Sequence, residues 1–185
     1  MTNAFLIGSQ IYLRPVSLED GATIAGWLND PEVRRTLRAR MPITHLAEEA
    51  FLRRIGESEN DLILAIMVRE TEQFIGVLGL HQIDSRNRHA QFGITIGEKD
   101  AWDKGYGTEA TQLILRYAFD SLNLHRVALQ VYEFNPRAQH VYEKIGFRTE
   151  GRLRQETFRE GRYWDTIVMG LLRDEWRAAR PKEKD

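Results

Sequence analysis

The chain of 185 residues contains no cysteine, which removes disulfides, thiolate nucleophiles and thiolate metal sites together and fits a reducing, cytoplasmic setting. Nowhere do eighteen apolar residues follow one another. The opening MTNAFLIGSQIYLRP has no basic start leading into a long apolar run, so neither a membrane span nor a secretory leader is expected. An excess of one charge is missing too: the formal net charge is −1 with 29% charged residues, which leaves no broad basic field for a nucleic-acid partner. The local run Arg34, Arg35, Arg38 and Arg40 reads as a solvated helix face. The five histidines form no H-E-x-x-H pair and no G-x-S-x-G elbow occurs, so no metal is expected and a serine hydrolase is disfavoured. What the chain does have is 42% hydrophobic content, enough for one domain with a full core over residues 1–178, followed by a polar tail at 179–185.

Alternation and turn residues order the elements. Ile11 to Arg14 reads as a strand stopped by Pro15, and Ser17 to Leu28 as a helix with Ser17 and Asp20 in the positions of a capping box. Asn29-Asp30-Pro31 breaks that helix and starts another through Val33 and Leu37. Thr44 to Ile55 forms a third. Leu62 to Val68 and Phe74 to His81, joined by a short polar run, predict an antiparallel hairpin. Ala90 to Ile96 alternates, and Gly93 inside it suggests a bulge or a close approach by another group. A helical stripe of Ala110, Leu113, Ile114, Tyr117, Ala118 and Leu122 follows and stops at Asn123. Val127 to Val131 is then a strand, Pro136 to Ile145 a helix closed by Gly146, and the remainder a strand pair turning at Glu160-Gly161. The crossover from Ala90 to Tyr132 makes its two strands parallel inside an otherwise mostly antiparallel sheet. The fold class is therefore α/β of mixed type, with helices flanking the sheet.

The segment WDKGYGTEA, Trp102 to Ala110, places Gly105 and Gly107 at the mouth of an amphipathic helix. The first N–H groups of a helix lack carbonyl partners and carry the positive end of its dipole, so an anion settles there. Taken by itself, such a glycine pair serves a turn as readily as a phosphate.

Together with NPRAQHVYEKIGFRTEG, residues 135 to 151, this segment resembles the acetyl-coenzyme A signature of the GNAT superfamily of N-acetyltransferases. IYLRPVSLED, WLNDPEV and TFREGRYWDTIVMGLL extend the resemblance towards the branch of ribosomal-protein-alanine and spermidine acetyltransferases. The resemblance implies the acyl-CoA acyltransferase fold with a central splayed parallel strand pair. It implies that Lys104, Gly105, Tyr106, Gly107 and Thr108 hold the acetyl-CoA pyrophosphate and that Ile94, Thr95 and Ile96 offer ladder groups to the pantetheine arm. Asn135 and Arg137 match positions that face the cofactor; without the resemblance they read as a helix cap and a surface arginine. Tyr142 matches the family's general acid, whose phenol supplies a proton or a strong hydrogen bond to the departing thiolate. By spacing alone it reads as a core residue beside Ile145.

Two positions depart from the family pattern. Trp102 stands where the loop usually has arginine or glutamine, so the backbone must bind phosphate. Gln91 stands where many relatives carry a glutamate, and an amide takes no proton; His81, His89 or Glu133 are other candidates for the base. No base is needed for an N-terminal α-amine with a pKa of about 7.7 to 8.0, whereas an amine near about 10.4 needs more help, which favours a peptide N-terminus or another low-pKa amine. The expected acceptor is a primary amine, either a peptide N-terminus or a small amine or polyamine, attacking directly in a ternary complex. Trp27, Asn29, Asp30 and Gln91 are the candidate acceptor contacts. Two other classes remain open: a non-catalytic acetyl-CoA sensor, and a dinucleotide-binding oxidoreductase suggested by Gly105-x-Gly107-x-x-Ala110. Edge strands near the C-terminus offer a surface for a homodimer.

Overall fold

Strand β1 (Leu6–Ile7) and strand β2 (Ile11–Pro15) open the chain, and the turn after β2 is tied by one carboxylate. Asp20 accepts from the Ser17 amide at 2.8 Å and from both terminal nitrogens of Arg14 at 2.7 and 2.8 Å. This is the acidic half of the expected capping box, with an arginine added. A computed structural model describes residues 1–38 and 41–179; Arg40 of the basic run and all but the first residue of the tail lie outside the described residues. The expected first helix begins as a tight 3-10 turn, Leu18–Asp20, before α1 (Gly21–Asn29). The second, α2 (Pro31–Arg34), is shorter than expected because the chain tightens to bonds from Thr36 to Val33 and from Leu37 to Arg34. The third, α3 (His45–Gly56), starts where Thr44 accepts from the Ala47 amide at 3.1 Å.

The chain divides into two compact units, the first comprising Met1–Gln82 with Phe92–Leu115 and the second Ile83–Gln91 with the residues from Arg116 onward. In the first, β2 pairs antiparallel with β3 (Leu62–Val68), which pairs antiparallel with β4 (Phe74–Asp84), a strand three residues longer than the alternation suggests. Ile11, Leu13, Leu64, Ile66, Ile75, Leu78 and Leu80 are at most 2% exposed and form its apolar core. Strand β5 (His89–Ile96) begins in the second unit and ends in the first, where it leads through the 3-10 turn Lys99–Ala101 to α4 (Tyr106–Arg116). Beyond α4 a π-helical turn, Tyr117–Ser121, re-registers the stripe. Leu115 and Phe119 are buried, while Tyr117 and Leu122 are only half-buried.

In the second unit the first residues of β5 pair in parallel with β6 (Arg126–Tyr132), His89 with Arg126, Ala90 with Val127 and Gln91 with Ala128. Among the described residues no register pair follows these three, although β5 runs on to Ile96 and β6 to Tyr132. Helix α5 (Pro136–Ile145) closes on Gly146, whose φ of 117° is open to a residue without a side chain. Strand β7 (Arg148–Arg159) and strand β8 (Arg162–Leu172) meet at Glu160-Gly161, both at positive φ, as a two-residue hairpin turn of matching twist requires. A last helix, α6 (Arg173–Ala179), buries Trp176. The eight strands follow the order β1-β2-β3-β4-β5-β6-β8-β7, a mixed sheet with one parallel pair. Among the described residues no helix is long and apolar enough to cross a membrane.

Candidate active site

The glycine segment folds so that the first amides of the following helix stay unpaired among the described residues. Asp103 and Gly105 lie at positive φ, 62° and 83°, which swings the chain into α4 with Gly105 just ahead of the first helical residue. The first amide of α4 with a backbone partner is that of Glu109, which donates to the Gly105 carbonyl at 3.1 Å. The N–H groups of Tyr106, Gly107 and Thr108 have no partner among the described residues. A Cβ at Gly105 would meet nothing within 4 Å, and one at Gly107 would meet Ile96 Cγ1 at 3.7 Å, an ordinary contact. Lys104 and Gly105 are exposed. This open row of donors fits a diphosphate.

Trp102 finds other work. Its indole Nε1 donates to the Ile96 carbonyl at 2.9 Å, fastening the loop to the end of β5. Behind the loop, Glu109 accepts from the amides of Ser9 and Gln10 and from the Ser9 hydroxyl, which pins α4 to the β1–β2 turn. The 3-10 turn between β5 and the first glycine removes the oxidoreductase reading, since a dinucleotide fingerprint needs the strand to run straight into it.

Ile94, Thr95 and Ile96 lie in the part of β5 beyond its last register pair with β6. Trp27 reaches the residue just past this stretch: a Cβ on Gly97 would fall 2.0 Å from the Trp27 ring, so only glycine lets the indole lie there. The same ring packs on Phe74 with centroids 4.7 Å apart. Asn29 uses both ends of its amide on Ile43, donating to the carbonyl at 2.7 Å and accepting from the N–H at 2.8 Å. Asp30 caps α2 through the amides of Glu32 and Val33 and pairs with Lys99 at 3.0 Å. The Lys99 contact, with these amides, holds its carboxyl below the usual range. The first unit thus gathers Trp27, Asp30, Ile94 to Ile96 and the glycine loop.

On the neighbouring strand His81 stands beside a second carboxylate. Its Nδ1 is 3.2 Å from Asp61 Oδ1. Burial works against charge on Asp61, but the Ser58 hydroxyl at 2.9 Å, the Gln82 amide at 3.3 Å and His81 together hold its pKa below the ordinary value. Of the other candidate bases, Glu133 is engaged by Arg152 and by the Asp165 amide, and His89 lies 3.8 Å from Asp84.

In the second unit Asn135 caps α5, accepting from the Ala138 amide at 3.2 Å, and Arg137 is exposed on its first turn. Tyr142 is 9% exposed and meets Phe147 edge-on at 5.8 Å. Burial pushes its phenol up to about 12, so it stays protonated through the neutral range. Gln91 is half-buried at the last pair of the parallel ladder. Among the described residues no group of side chains could hold a metal ion.

Comparison with known proteins gives this arrangement its context. A family model described as an acetyltransferase (GNAT) domain matches residues 10–148. An uncharacterized N-acetyltransferase of Bacillus licheniformis is 32% identical over 178 residues, 92% of this chain and 97% of the relative. A spermidine N(1)-acetyltransferase of Vibrio cholerae is 37% identical over 105 residues, 57% of this chain and 60% of that protein. A crystal structure of spermidine N-acetyltransferase from Vibrio cholerae in complex with CoA and spermine matches with a TM-score of 0.86 at 28% identity, over 92% of this chain and 99% of that one.

Proposed function

The chain belongs to the GNAT acetyltransferase family, and from that premise we propose which residues carry the transfer and which amine receives the acetyl group. It is an acetyl-CoA-dependent N-acetyltransferase acting on a primary amine. Acetyl-CoA, when bound, supplies an activated thioester. The remaining work belongs to the chain, read as one domain over residues 1–178.

The amides of Tyr106, Gly107 and Thr108 take the pyrophosphate, with Lys104 and Gly105 shaping the approach. The main chain of Ile94, Thr95 and Ile96 takes the pantetheine amides as a further strand would be taken. Asn135 and Arg137 face the cofactor from the start of α5. Tyr142 donates a hydrogen bond to sulfur as negative charge builds there. A phenol near 12 is a weaker acid than a thiol of about 8.5, so the hydrogen bond matters more than complete proton transfer. Direct attack needs no covalent carrier, and the chain has no cysteine to serve as one.

For the acceptor we take a polyamine-like small amine. The observation that carries this choice is the end-to-end likeness to the spermidine enzyme crystallised with CoA and spermine. Trp27, beside the end of β5, is the candidate acceptor wall, while Asn29 and Asp30 contribute by fixing the segments around it. For assembly, the exposed Leu153 and Phe158 on the terminal strand β7 support pairing with a second copy. A thiol-release assay over spermidine, spermine, small monoamines and N-terminal peptides tests the acceptor. Turnover is expected to be highest with the polyamines; turnover confined to peptide N-termini would replace this reading with the other one.

A further inference from the structure

The register of the β3–β4 hairpin explains why His81 meets Asp61. Leu62 pairs with Leu80, so the next cross-strand neighbours along the ladder are Asp61 and His81. An ionised carboxylate only accepts hydrogen bonds, so the proton of the neutral imidazole sits on Nδ1 and Nε2 keeps its lone pair. That second nitrogen is directed along the sheet. A Cβ built on Gly79 would lie 3.0 Å from it and one built on Gly93, across on β5, would lie 4.0 Å from it. Contact at that distance is ordinary, so the His81 ring neighbours Gly93 without requiring a glycine there.

We propose that His81 is the general base of the transfer and that Asp61, itself steadied by Ser58 and the Gln82 amide, is its positioning residue. This rests on the acetyl-transfer reading above. As the amine nitrogen forms its bond to the acetyl carbon, the C–S bond breaks and its electron pair leaves on sulfur. The proton shed by that nitrogen moves to His81 Nε2 and from there to water. The side chain is 36% exposed, which leaves a route for that release. Asp61 Oδ1 lies 3.2 Å from the ring Nδ1. An arrangement in which a carboxylate orients a histidine that takes a proton from a nucleophile is well suited to a high-pKa amine, and it removes the need for a carboxylate at Gln91.

The test joins kinetics to a spectroscopic readout. His81→Ala should lower kcat with spermidine about 100-fold at pH 7, flatten the fall in rate on the acid side of the pH profile, and leave CoA affinity and thermal stability unchanged. Added imidazole should restore part of the rate. Nitrogen-15 spectra of the unmodified protein should show the His81 ring protonated on Nδ1 when neutral, and Asp61→Ala should move that population towards Nε2. An intact acid limb in His81→Ala, or a ring already protonated on Nε2 in the unmodified protein, overturns the proposal while leaving acetyl transfer standing. Failure of the unmodified protein to bind CoA or to acetylate any amine overturns both.

Discussion

The openings of α4 and α5 are built in opposite ways. At α4 Gly105 precedes the first turn at positive φ, and three successive amides have no hydrogen-bond partner among the described residues. At α5 the first residue is Pro136, which has no N–H, and the Asn135 side chain already occupies the Ala138 amide. That end offers an anion fewer amides, and under the proposed function the helix contributes through Arg137 and Tyr142 instead. A main-chain site tolerates changes among its neighbours: Trp102 replaces the family's usual arginine or glutamine and serves by fastening the loop through the Ile96 carbonyl. A side-chain site depends on single atoms, in the proposed function the Tyr142 hydroxyl.

Substitutions break this contrast in a definite order. Gly107→Val should have the largest effect. Its Cβ clears the protein itself, touching Ile96 at 3.7 Å, while its branches cover the amide row. Losing two charge-assisted hydrogen bonds of about 1.5–3 kcal/mol each weakens CoA binding roughly 10²- to 10⁴-fold, by calorimetry, with the melting temperature unchanged. Tyr142→Phe comes next. The ring still packs on Phe147, so kcat should fall about 100-fold while CoA affinity stays within a factor of two; equal losses in both would mean that the tyrosine is structural. Trp102→Phe is the mildest, removing one hydrogen bond of about 1 kcal/mol and weakening CoA binding roughly fivefold.

The parts of this account that were legible in the sequence are those whose signals are local. Helix α3 begins at Thr44 and α5 ends at Gly146 because a cap and a left-handed glycine mark their own positions. The Glu160-Gly161 turn and the paired glycines of the loop are legible for the same reason. Strand β1, only two residues long, offers no period, and α6, anchored by Trp176, lies where the sequence suggests only the end of a strand pair. Leu115 within α4 and Phe119 in the π turn after it are buried, which the expected stripe does not include. At the site, the end of the parallel ladder after Gln91 depends on the pairing of distant segments, so only the family resemblance pointed to it. Asp61 and His81 follow from hairpin register, and hydrophobic alternation alone does not announce which polar pair will meet across it.

The most direct test of the central claim is amide hydrogen exchange with and without CoA. The account predicts new protection at Tyr106, Gly107 and Thr108, accompanied by protection along Ile94 to Ile96 where β5 has no register partner on β6. CoA binding that leaves the exchange of both stretches unchanged would contradict it.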